Sequence, residues 1–236
     1  MPGIDASKRL IFALDVSSLE EAQSLVNKLD GVVSFYKIGL ELQMVAGLEF
    51  VKGLLGKNKD VFLDLKYFDV DATVQRAVAR VAQLGVSFLT VHGVHKTIQA
   101  AVKGRGDSAL KILAVTVLTS LDASDILELG YECSVEELVK FRAKKALESG
   151  CDGVVASGRE ASAIRELAGD NLVIVTPGIR LSDASKDEHK RSFTPAQAIG
   201  AGADYLVVGR PIRDAKDPAA AAAEIIQEMQ KAFDER

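Results

Sequence analysis

A parallel (β/α)8 barrel of the TIM type is the fold this sequence predicts, and three observations point to it. Eight short runs rich in β-branched and aromatic residues recur along the chain. Stretches with the helical period separate them, so strand and helix alternate. The length of 236 residues lies near the ~250 typical of this barrel, whereas an open doubly wound sheet usually has fewer strands. No Pro- or Gly-rich linker divides the chain, and residues 1–236 are expected to form a single domain.

In chain order the expected strands are LIFALD (10–15), FYKIG (35–39), VFLDLK (61–66), FLTVH (88–92), KILAVTVL (111–118), GVVAS (153–157), LVIVT (172–176) and YLVVG (205–209). Helical spacing of apolar residues marks SLEEAQSLVNKL (18–29), TVQRAVARVAQLG (73–85) and SVEELVKFRAKKALESG (134–150), and AAAAEIIQEMQKAF (220–233) follows the last strand. Two connections exceed a minimal loop. LDASDILELGYECS, after the fifth strand, reads as an added short helix, while LSDASKDEHKRSF, after VTPGIR, has no apolar period and reads as a mobile loop. Long loops in a compact domain are usually functional, and in this fold the loops that follow the strands surround the active site.

Composition narrows the function. Apolar residues make up 48% of the chain, enough for a sizeable core. The formal charge of −4 leaves no basic surplus, and Lys and Arg are scattered among acids, which argues against nucleic acid as a partner. No apolar run approaches the roughly 20 residues that cross a bilayer, and the amino terminus lacks a long uncharged segment, so no membrane association is expected. Cys133 and Cys151 are too few for a disulfide framework or a zinc site, which fits a reducing cytoplasm. His92 and His95 stand at i and i+3 across a strand end and His189 lies in the long loop, with no HExxH, so no metal is expected. No GxGxxG follows the first strand, which removes the nicotinamide fingerprint.

The stretch FLDLKYFDVDAT (62–73) sets Asp64, Lys66, Asp69 and Asp71 among apolar residues. Side chains alternate along a strand, so Val61, Leu63 and Leu65 face the helices, while Phe62, Asp64 and Lys66 point into the barrel toward its C-terminal mouth. The same parity turns Asp15 and Lys37 inward at the ends of the first and second strands. Singly, each charge reads as a solvated strand end, with Asp69 a cap for the helix beginning near Val70. Together they match the recurrent catalytic arrangement of this fold, and alternation of Lys with Asp supplies the pairing that poorly solvated charges need. On the far side, TPGIR (176–180) and VGRPI (208–212) end the seventh and eighth strands, where such barrels commonly bind phosphate. Arg180 and Arg210 can supply charge-assisted bonds there, which points to a phosphorylated substrate.

Taken in order, FALDV, YKIGLEL, VFLDLKYFDVDATV, AVTVLTS, DGVVAS, VTPGIR and ADYLVVGRPI resemble the bacterial orotidine 5'-phosphate decarboxylase family over nearly the full length. The DxKxxD core followed by Thr73 is the specific part of that pattern. The resemblance implies a barrel of the ribulose-phosphate-binding type. It also implies decarboxylation of orotidine 5'-monophosphate to uridine 5'-monophosphate without a cofactor, the last step of de novo pyrimidine synthesis. Lys66 matches the lysine that protonates C6, Asp64 its neighbour near the substrate carboxylate, and Lys37 the other lysine of the array. A homodimer with shared sites is implied, in which Asp69 and Thr73 enter from the partner subunit. Asp15 matches the ribose-binding acid; Thr119 and Ser120 match residues near the pyrimidine; Arg180, Gly209 and Arg210 match the phosphate grip.

The sequence departs from the family pattern in three places. Where the family reads DLKFHDIPNT, Phe68, Val70, Asp71 and Ala72 replace His, Ile, Pro and Asn, and Asp71 is expected as an acid in the first helical turn. HGVHK stands in place of HASGG. His189 falls where the family has a Gln bridging phosphate and base, and its neutral imidazole can donate one hydrogen bond. Two other readings fit less well. A Mg2+-dependent phosphosugar β-keto-acid decarboxylase or hexulose-phosphate synthase needs an acidic metal ligand where Lys37 stands. A phosphate-ligand binding protein without turnover does not explain the intact Asp64, Lys66 and Asp69.

Overall fold

β-Branched and aromatic residues dominate the strand runs, and in a computed structural model these runs pair in parallel, in sequence order, until the last closes on the first. The structure describes residues 4–181 and 193–236. The barrel strands are β1 (Leu10–Ala13), β2 (Phe35–Ile38), β3 (Asp60–Tyr67), β4 (Phe88–His92), β5 (Lys111–Val115), β6 (Gly153–Val155), β7 (Val173–Thr176) and β8 (Tyr205–Val208). Around them run α1 (Leu19–Lys28), α2 (Leu40–Gly56), α3 (Asp71–Ala82), α4 (His95–Arg105), α5 (Ala123–Glu128), α6 (Val135–Glu148), α7 (Gly158–Ala168), α8 (Pro195–Gly200), α9 (Arg210–Arg213) and α10 (Pro218–Glu235). None of the described helices is long and apolar enough to cross a membrane.

Local chemistry starts several of these helices. Ser18 accepts a hydrogen bond from the Glu21 amide ahead of α1. Reciprocal capping boxes, Asp122 with Asp125, Ser134 with Glu137 and Thr194 with Gln197, open α5, α6 and α8. Each such cap contributes about 1 kcal/mol by satisfying amides that have no partner within the helix. α5 is the short helix expected after the fifth strand. The proposed mobile loop at 181–193 lies almost wholly outside the described residues.

Strand parity divides the core. Leu10, Phe12, Tyr36, Ile38, Val61 and Leu63 pack between strands and helices. Ile11, Ala13, Phe35, Phe62, Phe88, Leu113, Val175 and Val207 form a separate cluster that fills the barrel. Near its lower end, the Phe88 ring lies 5.0 Å from Phe35, 5.8 Å from Phe62 and 5.1 Å from Tyr205, centroid to centroid. Arg9 covers the Tyr205 ring from below, 4.5 Å from its centroid.

The fifth strand ends at Val115 rather than Leu118. Its neighbours explain this: Val115 pairs with His92, the last residue of β4, and with Val155, the last residue of β6. Beyond them no ladder is left to join, and the Thr116 hydroxyl instead donates to the Val155 carbonyl at 3.0 Å. β6 itself depends on Gly153, where an added Cβ would sit 2.4 Å from the Val173 carbonyl oxygen. Both cysteines are free; Cys133 is exposed, and burial pushes the Cys151 thiol up to about 12.

Phe88→Ala is expected to lower stability by roughly 3–5 kcal/mol, because it empties the centre of the aromatic layer. Urea unfolding checks this, and an unchanged midpoint would show that the layer does not carry the barrel core.

Candidate active site

Above the aromatic layer the inward positions change from apolar to charged. Ala13 pairs with Lys37 and Lys37 with Phe62, so these three residues share one level and Asp64 and Lys66 carry β3 beyond it. Lys37 Nζ lies 2.8 Å from Asp15 Oδ1 and 3.6 Å from Asp64 Oδ2. Lys66 Nζ lies 2.8 Å from Asp64 Oδ1. The inward set therefore joins as a chain, Asp15–Lys37–Asp64–Lys66, with charge alternating at every step. Side-chain exposure runs from 54% at Asp15 through 9% at Lys37 and 16% at Asp64 to 33% at Lys66. An ammonium as buried as Lys37 needs compensating charge, and carboxylates on both sides provide it.

Simple alternation assigns these faces correctly but misses how Lys66 reaches its place. β3 and β4 pair at Leu63–Leu89 and next at Tyr67–Val91, so β3 bulges between those points. Within the bulge Lys66 adopts φ 50°, a left-handed conformation that costs a non-glycine residue on the order of 1–3 kcal/mol. Gly39 carries no distinguishing signal within FYKIG, yet an added Cβ there would stand 3.2 Å from Asp15 Oδ1 and 3.5 Å from Lys37 Nζ. Its missing side chain leaves the room the pair occupies.

Asp15, Lys37, Asp64 and Lys66 line a cavity of about 320 Å³ together with Arg180, Gly209 and Arg210. Thr119 stands at its rim, whereas Ser120 is exposed and does not line it. Arg180 continues from Ile179, whose bridge with Phe193 holds the end of the β7 connection. Arg213, also in the lining, donates to the Asp15 backbone carbonyl at 2.9 Å and so ties α9 to the end of β1. Its place three residues after Arg210 was the available signal. His189 lies outside the described residues.

Asp69 and Thr73 do not line their own chain's cavity. Asp69 is exposed, and its carboxylate accepts from the Val70 amide at 2.6 Å. It does not cap α3: that helix starts at Asp71, as expected for an acid in its first turn, and Val70 occupies the cap position. Beside Asp69, Phe68 and Val70 are 64% and 72% exposed, and Leu40 and Met44 on α2 are also uncovered.

His92 stands at the end of β4 with its ring 4.9 Å from the Phe68 ring, and its Nδ1 is buried without a hydrogen-bond partner among the described residues. Burial, and secondarily the Arg142 guanidinium, hold its pKa below the ordinary histidine value. Arg142 is itself fixed by the Thr116 carbonyl and the Tyr131 hydroxyl. As pH falls below ~6.5 the unfolded chain takes up a proton that folded His92 resists, so this contribution to stability is lost toward acid. His92→Phe is expected to flatten that limb. Urea midpoints measured at about pH 7.5 and about pH 5.5 check it; an unaltered pH slope would count against the assignment.

Comparison with known proteins gives the family. Residues 8–225 match the model of the "Orotidine 5'-phosphate decarboxylase / HUMPS family". An orotidine 5'-phosphate decarboxylase of Nitrobacter winogradskyi is 56% identical over 228 residues, covering 97% of this chain and 95% of the relative. One from Rhodopseudomonas palustris is 50% identical over 224 residues, covering 95% of each. The crystal structure of orotidine 5'-phosphate decarboxylase from Lactobacillus acidophilus superposes with a TM-score of 0.83 at 37% identity, covering 94% of this chain and 99% of that one.

Proposed function

Because the chain belongs to the orotidine 5'-phosphate decarboxylase / HUMPS family, we propose that it is a single-domain carboxy-lyase of pyrimidine biosynthesis. It converts orotidine 5'-monophosphate to uridine 5'-monophosphate and carbon dioxide, in the cytoplasm and without a cofactor. The observation that carries this reading is the alternating Asp15–Lys37–Asp64–Lys66 chain, which lines one cavity together with Arg180 and Arg210.

Loss of carbon dioxide from C6 leaves an electron pair in an sp² orbital with no easy delocalisation, so localised charge must be stabilised. The Lys66 ammonium attracts that charge as it develops and then delivers its proton to C6. Asp64, 2.8 Å from Lys66 Nζ, keeps the ammonium aimed. Asp64 also stands close to the substrate carboxylate. Lys37 holds Asp64 from its other oxygen and pairs with Asp15, which receives the ribose. Thr119, with Ser120 beside it, borders the pyrimidine. Arg180, Gly209 and Arg210 grip the phosphate. Binding energy gained at the phosphate helps to drive the base into the charged end of the cavity.

The active form is a homodimer in which Asp69 and Thr73 complete the partner's site. Their position outside their own cavity supports this, as does the uncovered apolar surface of Phe68 and Val70 beside them. A metal-dependent sugar-phosphate reaction on the same barrel is less well supported. Both acids at the mouth, Asp15 and Asp64, already engage Lys37, so the donors are not grouped for a divalent cation.

Loss of orotidine 5'-monophosphate absorbance, followed with purified protein in excess chelator, tests the reading. Turnover is expected to persist; its absence would overturn the assignment, and turnover abolished by chelator would favour the metal-dependent reaction. Lys66→Ala is expected to lose more than about 10³-fold in kcat while still binding uridine 5'-monophosphate, and near-normal rates would refute its role as proton donor. Mixing inactive Lys66→Ala with inactive Asp69→Ala is expected to restore part of the activity through hybrid dimers. No recovery despite demonstrated subunit exchange would count against Asp69 acting in the partner's site.

A further inference from the structure

The bulge that places Lys66 faces a single residue of β4. Between the paired positions Leu63–Leu89 and Tyr67–Val91, β3 has Asp64, Leu65 and Lys66, whereas β4 has only Thr90. Thr90 is fully buried. Its Oγ1 accepts from the Lys66 amide at 3.0 Å and donates to Asp64 Oδ1 at 3.0 Å. The direction of both bonds is fixed by chemistry: an amide can only donate, so the hydroxyl proton is free to go to the carboxylate. One oxygen thereby takes the place of the missing ladder contact at the bulge. The same Asp64 oxygen receives Lys66 Nζ at 2.8 Å, which closes a loop from the Lys66 backbone through Thr90 and Asp64 to the Lys66 ammonium.

We propose that Thr90 is a positioning residue for the reaction: its hydroxyl holds Lys66 in the left-handed conformation and fixes the carboxylate that aims the ammonium. This rests on the reading of Lys66 as the proton donor. Lys66 at φ 50° is strained for a residue with a side chain, and the strain must be offset by a bond specific to that backbone position. Relaxation to negative φ would redirect the Cα–Cβ bond and draw Nζ away from Asp64. Neither a valine nor an alanine at position 90 offers an acceptor to the amide or a proton to the carboxylate.

The test compares Thr90→Val, which keeps the shape and removes the hydroxyl, with Thr90→Ser, which keeps the hydroxyl. In Thr90→Val, kcat is expected to fall roughly 10- to 100-fold, the scale set by small misplacement of a reacting group, while affinity for uridine 5'-monophosphate changes by less than about threefold. Thr90→Ser is expected to stay within about threefold of wild type in both, since it retains the bridging oxygen. Equal losses in Ser and Val variants, or a Val variant with wild-type kcat, would overturn the proposal. Hydrogen exchange at the Lys66 amide gives a readout that does not depend on turnover. It is expected to accelerate in Thr90→Val and not in Thr90→Ser, and unchanged exchange in the Val variant would also overturn it. A wild-type protein without decarboxylase activity would instead refute the functional assignment, leaving the exchange measurement to decide whether Thr90 holds the bulge.

Discussion

The Asp64 carboxylate is the interaction on which the rest of the site depends. One oxygen faces Lys37, the other receives Lys66 and Thr90, and the group is only 16% exposed. A carboxylate withdrawn from water to this extent costs several kcal/mol unless its lone pairs are satisfied, and here charged and neutral donors satisfy them together. In turn it allows two ammonium groups to stand close to one another at the barrel mouth. Remove it, and Lys37 keeps only the half-exposed Asp15 while Lys66 loses its aim.

The surrounding structure supplies what that arrangement requires. The layer of Phe35, Phe62, Phe88 and Tyr205 closes the barrel beneath it, so solvent reaches the charges from the mouth. Gly39 leaves room beside the Asp15–Lys37 pair, and the β3 bulge brings a second lysine to the carboxylate from the same strand. Two departures from regular structure, an absent Cβ and a left-handed residue, therefore serve one cluster of charges. Strain and vacancy of this kind concentrate where geometry matters most.

Much of this was legible in the sequence because parity along a strand is a strong constraint. Alternation sufficed to turn Asp15, Lys37, Asp64 and Lys66 inward, and the TPGIR and VGRPI motifs pointed to Arg180 and Arg210, which line the same cavity. What stayed hidden depended on neighbours in space. The length of β5 was set by where β4 and β6 stop, not by its own apolar run through Leu118. The bulge at Lys66, and Thr90 opposite it, exist only once β3 and β4 are in register. Thr90 reads in FLTVH as an ordinary strand threonine, since nothing local distinguishes a hydroxyl that meets two partners from another strand. Asp69 could be read as a helix cap or as a site residue, and the start of α3 at Asp71 removes the first alternative within this chain.

The lining of the cavity comes from both ends of the chain. Its lysines and aspartates are encoded by position 66, whereas Arg180, Gly209 and Arg210 come late, and β1 finds its second neighbour only in β8. Arg213 then bonds the backbone of Asp15 across that seam. A chain emerging from the ribosome thus presents the residues of its lysine–aspartate cluster before those arginines. The low-dielectric surroundings that give those charges their strength arrive with the last strand, so no shorter nascent fragment carries a closed site.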